Sequence, residues 1–514
     1  MKKREKKEKK IKNTTKSTKS SKKIVSRIIN ILSIIITGLF LVYLYKVDII
    51  PIKYFRIGAI ALVVFELAYT LLCINKKRSG VILKIFNVIA VIFIIAQVII
   101  FFYLYKTDSF MKNNLGGKDY VIDEFYVVAN VSSPIKKIKE ADGGSIYYYV
   151  DTPHFTELKA ALKKKTTAKI EKQDSLDASL DKLSYPDNLV ILNSGIYESI
   201  KTNDEEYASY LKIIDTIKVK VKKEKQETPD IDITNTPFTI FLSGIDTRGK
   251  TLTKRSLSDV NMVIVVNPNT RTILLVSIPR DSYVQLHGYS GKKDKLTHAG
   301  SLGGLELSKA TVDDMLDIKT DYTVRVNFQA VMSLVDAVGG VTVNEDKAKK
   351  RFSCWTDRRC WIEPGENNLN GQCALAFARE RYAYYDGDMQ RNRNQQKVLM
   401  AIFNKLTSSY TLAAHYTDIL SAMEGTFETS LTDEDIKKLV KFQLNDMKGW
   451  TFESQNVTGG TGRTTTYSSG STELSVVYPN QQTIDDAKEA IRKVLAGEDL
   501  HATETTTDTE TVSE

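Results

Sequence analysis

Two aspartates, Asp246 and Asp259, and a set of arginines spread over the following 140 or so residues are the side chains whose types and spacing could do chemistry. They lie in four segments: FTIFLSGIDTR, SDVNMVIVVNPNTRTILLVSIPRD, FARERY and GDMQRNRNQQ. Two carboxylates can share a hard divalent cation such as Mg²⁺, with Mn²⁺ as a substitute. Several guanidiniums can hold a polyanion beside it. The combination points to phosphate chemistry.

The elements that must bring these residues together are legible from pattern. FTIFLSGI is an apolar run of strand length, and NMVIVV and RTILLVSI flank the turn signal NPNT, which predicts a hairpin. If the turn centres on Pro268–Asn269, antiparallel partners have numbers summing to about 537, and Asp259 falls opposite Ile278. Asp246, Asp259 and Arg280 then share one edge of a sheet, a common place for ligands. Read as a strand, FARERY projects Arg379 and Arg381 from one face. In GDMQRNRNQQKVLMAI, Asp388 is placed to cap a helix on which Arg391 and Gln395 share a face. Lys295 supplies a further charge.

The rest of the chain sets the context. Its net charge of +10 is carried by residues 1–23, which hold 12 Lys/Arg and two Glu, so the body is neutral. That argues against nucleic acid as a partner and for retention of the tail at anionic membrane lipids on the cytoplasmic side. Apolar runs within residues 24–106 are long enough for three membrane helices. Three crossings from a cytoplasmic N-terminus, with Lys76, Lys77 and Arg78 in the second loop, leave the remainder outside the cell. Residues 107–228 predict a small α+β accessory domain and linker, with strands at YVIDEFYVVANVS and GGSIYYYVDT and a helix over 157–184. The charged KVKVKKEKQETPDIDITNTP reads as a connector. Residues 235–496 predict a mixed α/β domain of three layers, a central mixed sheet flanked by helices. Within it, 458–471 reads as a mobile surface loop, and 497–514 as a disordered tail. Cys354 and Cys360 bracket a short loop and could pair in an oxidising exterior, leaving Cys373 as a small buried hydrophobe.

These motifs resemble the LytR–CpsA–Psr family of bacterial cell-wall enzymes, and closely so over about 235–410. The pieces that carry the likeness are GIDTR, the SDVNM…VNP…VSIPRDSYV block, KLTHAGSLGG, VNFQAVMSLVDAVGGV, LNGQCALAFARERY and GDMQRNRNQQKVL. Three spans and an accessory domain look like the CpsA-type branch. The resemblance implies transfer of a glycopolymer from a polyprenyl-pyrophosphate carrier to peptidoglycan. It implies Mg²⁺ at Asp246 and Asp259, and a diphosphate held by Arg248, Arg255, Arg280, Lys295, Arg379, Arg381, Arg391 and Gln395. Asp259, Arg280 and Asp388 are then the expected catalytic residues, with Asp388 as base. Many members have an arginine where this chain has Leu257, which leaves Arg255 as the nearby substitute.

Other chemistries fit less well. Outside the membrane there is no ATP supply, so the donor must arrive already activated. His298 and Ser301 lack a nucleophile elbow, and five scattered histidines make no zinc site. A pyrophosphohydrolase that uses water in place of the wall hydroxyl, and a non-enzymatic regulator acting through its basic tail, are the competing readings.

Overall fold

The computed structural model describes residues 2–501 except 76–79, 111–119, 223–227, 247–251, 409–417, 420 and 424. The basic loop at 76–78 and the tail from 502 onward therefore lie outside the described residues, as does Arg248. The chain forms two compact units, residues 1–111 with 436–447, and 112–435 with 448–514.

The first unit is built on three helices, Lys2–Val47, Ile52–Ile74 and Gly80–Phe110. Each contains a span of at least 23 residues, apolar enough to cross a bilayer. In hydrocarbon a polar side chain seeks a partner on a neighbouring helix. Glu66 accepts from Ser33 at 2.5 Å and from Thr37 at 3.2 Å, and Gln97 donates to Thr37 at 3.0 Å, so one polar seam joins all three spans. This accounts for the intramembrane carboxylate as an interhelix link.

The second unit opens with a five-stranded mixed sheet, ordered Lys169–Gln173, Ser145–Tyr149, Leu189–Asn193, Tyr120–Asn130, Leu211–Lys222. Two sequence expectations need correction. The predicted helix over 157–184 is a helix at Phe155–Leu162, a strand at Lys169–Gln173 and a short helix at Leu176–Leu180. KVKVK is not connector but the end of the edge strand, its valines buried and its lysines exposed. Alternation decides this, because period two puts every second residue into the core whatever the charge of its neighbours.

The larger sheet has six strands, ordered Phe427–Thr429, Tyr322–Asn327, Phe238–Ile245, Ser258–Asn267, Thr272–Ile278, Thr451–Asn456. The middle three form an antiparallel meander, and the strands at Tyr322 and Thr451 join its two sides in parallel. Every residue of Phe238–Ile245 is buried, so both faces of the sheet are covered. On one face Phe241, Val263, Val265, Leu274 and Val276 pack with the Leu296–Leu316 and Gln481–Ala496 helices. On the other, the Asp388–Leu406 helix reaches the sheet, where the Gln396 amide donates to the Leu275 and Gln455 carbonyls at 3.1 and 3.2 Å. The α/β three-layer domain is thus in place.

The Leu296–Leu316 helix is kinked at Gly304, whose φ is 74°. A β-carbon there would sit 2.8 Å from the Lys254 carbonyl, so only glycine lets this helix close over the segment leading into Asp259. Two further expectations fall on this domain. Residues 459–465 form a strand paired with Glu473–Pro479, so the Gly/Thr-rich stretch is largely a hairpin rather than a mobile loop. The disulfide joins Cys360 to Cys373, and Cys354 is the free, buried thiol, pushed up to about 12 by burial. Cys354 and Cys360 are instead joined through the backbone, Cys354 N–H donating to the Cys360 carbonyl at 2.9 Å.

Candidate functional site

The hairpin sets the geometry. Its turn takes four residues, with Arg271 in the left-handed region at φ 56°, so the register sum is 539 and Asn261 pairs with Ile278. The two-residue shift from the expected register comes from that longer turn. Continued past the ladder, it sets Asp259 against Arg280, and Arg280 Nη1 donates to Asp259 Oδ1 at 2.8 Å. Ile245 pairs with Ser258, so Asp246 and Asp259 leave the sheet at the same end of one strand pair.

Around Arg280 a compact charge cluster forms. Its Nε lies 3.5 Å from Asp281 Oδ2, and Lys295 Nζ lies 2.6 Å from Asp281 Oδ1. Burial works against the charge on Arg280, but Asp259 and Asp281 outweigh it and hold the guanidinium protonated. Asp281 was not anticipated from the sequence. The only signal for it was adjacency to Arg280, where a carboxylate beside two expected cations is the natural counterion.

The Asp388–Leu406 helix delivers the other half. Gly387 turns the chain at φ 44°, and Asp388 is the first helical residue rather than a side-chain cap. A carboxylate in the first turn is favoured by the helix dipole. Asp388 Oδ1 lies 3.3 Å from Arg391 Nη1 and 3.7 Å from Arg381 Nη1. Arg391 is only 6% exposed, and its Nε and Nη2 have no hydrogen-bond partner among the described residues. Burial, and then repulsion from Arg280, push its pKa down. Gln395 is half-buried one turn further along the same helix.

FARERY is not a strand. Its first residues end the Gly371–Ala378 helix and the rest form a turn, so Arg379 and Arg381 diverge. Arg379 lies 3.3 Å from Asp246 Oδ2 and 4.7 Å over the Phe328 ring. Arg381 faces Asp388 and donates to the Tyr382 hydroxyl at 2.7 Å. The buried Glu380 between them organises the turn by accepting from the backbone N–H groups of Arg381, Tyr382 and Ala383 at 2.8–3.1 Å. Apolar residues at helical spacing ahead of Arg379 were the signal that the strand reading passed over.

Arg255 stands apart from the cluster. It is buried, its Nε lies 3.3 Å from Asp123 Oδ2, and Nη1 donates to the Leu302 carbonyl. Asp123 is fully buried on the accessory sheet, so Arg255 joins two domains rather than facing the diphosphate cradle. The same seam holds Asn203 Nδ2 against His298 Nε2 at 3.1 Å and Tyr467 OH on Asp151 Oδ2 at 2.5 Å. A half-open cavity of about 300 Å³ beside it is lined by His298, Asn203, Tyr207 and Ser468.

Asp281 gives the cluster a pH signature. Burial raises its pKa, but Arg280 and Lys295 more than compensate and hold it at about 2. A depressed carboxylate stabilises the fold above its unfolded pKa of about 4, and that contribution disappears as pH falls through about 2. Asp281→Asn is therefore expected to lose stability at pH 5 and to flatten the acid limb between about pH 4 and 2. Urea unfolding at several pH values reads this, and an unchanged acid limb would remove the Asp281 ion pairs from the account.

The arrangement can hold a diphosphate-like anion. Two carboxylates at one strand-pair end, a pair of facing guanidiniums with free N–H groups, and a lysine surround one location. Residues 206–492 match the family model described as the LytR_cpsA_psr family. The chain is 34% identical over 242 residues to TagU of Bacillus cereus, named as a polyisoprenyl-teichoic acid–peptidoglycan teichoic acid transferase, which covers 46% of this chain and 76% of that protein. TagT of Bacillus subtilis carries the same activity name and is 34% identical over 271 residues, 52% of this chain and 80% of its own. The crystal structure of B. subtilis TagV covers 51% of this chain and 98% of that one, with TM-score 0.43 and 27% identity.

Proposed function

Because this chain belongs to the LytR–CpsA–Psr family, we propose that it transfers a wall glycopolymer from a polyprenyl-pyrophosphate carrier to a hydroxyl of peptidoglycan. The observation that carries the reading is Arg391, a guanidinium buried beside a second one, whose Nε and Nη2 have no hydrogen-bond partner among the described residues. Such a group is costly unless an anion completes it. A diphosphate supplies acceptor oxygens on both bridging sides and suits the fork geometry of arginine.

In this mechanism Arg280, Arg391 and Lys295 bind the diphosphate, and Arg379 and Arg381 hold its outer edge. Asp388 accepts the proton of the acceptor hydroxyl. The hydroxyl oxygen forms a bond to the phosphorus next to the glycopolymer while the P–O bond to the departing polyprenyl phosphate breaks. The guanidiniums stabilise the charge that grows on that leaving group. Asp246 and Asp259 are a donor set that fits Mg²⁺ or Mn²⁺, ions held by one or two carboxylates together with substrate phosphates. Such a cation neutralises phosphate charge when bound. The basic N-terminus and the odd number of spans support a cell-membrane protein with this domain outside.

The test uses the full chain in vesicles with a polyprenyl-pyrophosphate-linked glycopolymer, peptidoglycan and Mg²⁺. The expected products are polymer joined to peptidoglycan by a phosphodiester and free polyprenyl monophosphate. Release of phosphorylated polymer into solution, with none attached, would make the protein a hydrolase. The absence of turnover would favour a non-enzymatic regulator.

A further inference from the structure

The loop between the Val341–Glu345 and Gly365–Leu369 strands borders the cradle and carries charge that the cradle itself does not use. Residues 346–364 hold six Lys/Arg and three Asp/Glu, a net +3 in a chain whose body is neutral. Each of the three acids already has a cation: Asp346 pairs with Lys397, Asp357 with Arg359 at 2.8 Å, and Glu363 with Arg351 at 2.9 Å. Lys347, Lys349, Lys350 and Arg358 are the surplus, and all four are exposed.

The arginines of this rim are held on aromatic rings. Arg358 lies 4.5 Å over the Trp355 ring, Arg351 4.5 Å over Trp361, and Arg381 4.7 Å over Tyr382. The Trp355 and Tyr382 rings are themselves 4.9 Å apart. One row therefore starts in the cradle, where Arg381 faces Asp388, and runs through Tyr382 and Trp355 to Arg358 at the surface. A guanidinium resting on a ring spends no N–H group there, so its donors stay open to an anion and the side chain is ordered in advance. The mounting is firm. The buried Glu380 accepts from the N–H groups of Trp355, Arg381 and Tyr382, and the Cys360–Cys373 disulfide ties the loop to the Gly371–Ala378 helix.

Resting on the transfer reading above, we infer that this row is a subsite for the donor polymer, and that the polymer bears a negative group, phosphodiester or carboxylate, within its first repeats. With the diphosphate in the cradle, the polymer leaves past Arg381 and Tyr382, and its first anionic group meets the fork of Arg358. Continuity with Arg381 favours the polymer over phospholipid headgroups, because the polymer is covalently joined to the diphosphate that the cradle holds. Arg358 is then a residue that selects charged polymers over neutral ones.

The experiment uses the full chain in vesicles with two donors on the same lipid diphosphate, one carrying a phosphodiester-linked polymer and the other an uncharged glycan. Arg358→Gln is expected to raise KM for the charged donor about tenfold, with kcat unchanged and the uncharged donor unaffected. Arg358→Glu should raise it further, and high salt should shrink both effects. Independently of turnover, a free glycerol phosphate oligomer should bind the native chain in calorimetry and bind Arg358→Gln about tenfold more weakly. Equal effects on the two donors, or no change with either, overturn the subsite. Displacement of the oligomer by phosphatidylglycerol vesicles, at matched phosphate, overturns it in favour of a membrane contact. If the native chain shows no transfer while oligomer binding still depends on Arg358, the transfer reading fails and the anion site stands.

Discussion

Alanine at both Asp246 and Asp259 is expected to abolish cation-dependent transfer, by at least about three orders of magnitude. The two carboxylates leave the sheet together, where Ile245 pairs with Ser258, and each is matched to its own arginine, Arg379 and Arg280. On the proposed reading, removing them takes away the cation's protein ligands; it also removes the Asp246 partner of Arg379 and leaves Arg280 with Asp281 alone among the described residues. Donor binding should therefore survive, or even tighten, while turnover falls. That split separates a metal role from a general loss of fold. Transfer measured against Mg²⁺ concentration reads the effect, with the unfolding midpoint as control. A rate that stays within a few-fold of the native chain at saturating Mg²⁺ would remove the two acids from the metal site.

Arg391→Met is expected to stabilise the protein while disabling it. The guanidinium is buried, repelled by Arg280, and has no partner for its Nε and Nη2 among the described residues. Replacing such a charge with an apolar side chain of similar volume is often neutral or favourable by about 1–4 kcal/mol. Asp388 keeps Arg381 as a neighbour at 3.7 Å, so the substitution does not strand it. Transfer should drop by about 10²–10³-fold, because one fixed donor group to the diphosphate is gone. Arg391→Lys should not restore it, since a point charge cannot fork. Calorimetric unfolding alongside turnover tests both halves. A marked fall in stability would mean that Arg391 is a structural residue.

The hairpin and its neighbours were legible because burial on both faces forces apolar runs of strand length, as in FTIFLSGI, and Asn-Pro-Asn-Thr marks where they reverse. Register was misjudged by two because the turn absorbs four residues, which composition does not reveal. FARERY looked extended since its arginines alternate, yet the helix before it is set by Ala374, Ala376 and Phe377, which share a buried cluster with Val398 and Ile402 of the Asp388–Leu406 helix. The KVKVK edge was hidden by its lysines, although its valines kept time. Arg255 was assigned to the phosphates from position alone. Its true partner, Asp123, is 132 residues away and belongs to another sheet. The disulfide was misassigned for a related reason. Cys354 and Cys360 are neighbours in sequence, but the hairpin joins them through the backbone and leaves Cys373 to take the sulfur.

The Asp123–Arg255 contact means the five-stranded sheet is not a detachable module. Arg255 lies four residues before Asp259 on the segment that enters the cradle, so excising the sheet would strip Arg255 of its Asp123 counterion and expose that segment. Exchanging this sheet between relatives should preserve activity only when the matching residues around 254–304 travel with it.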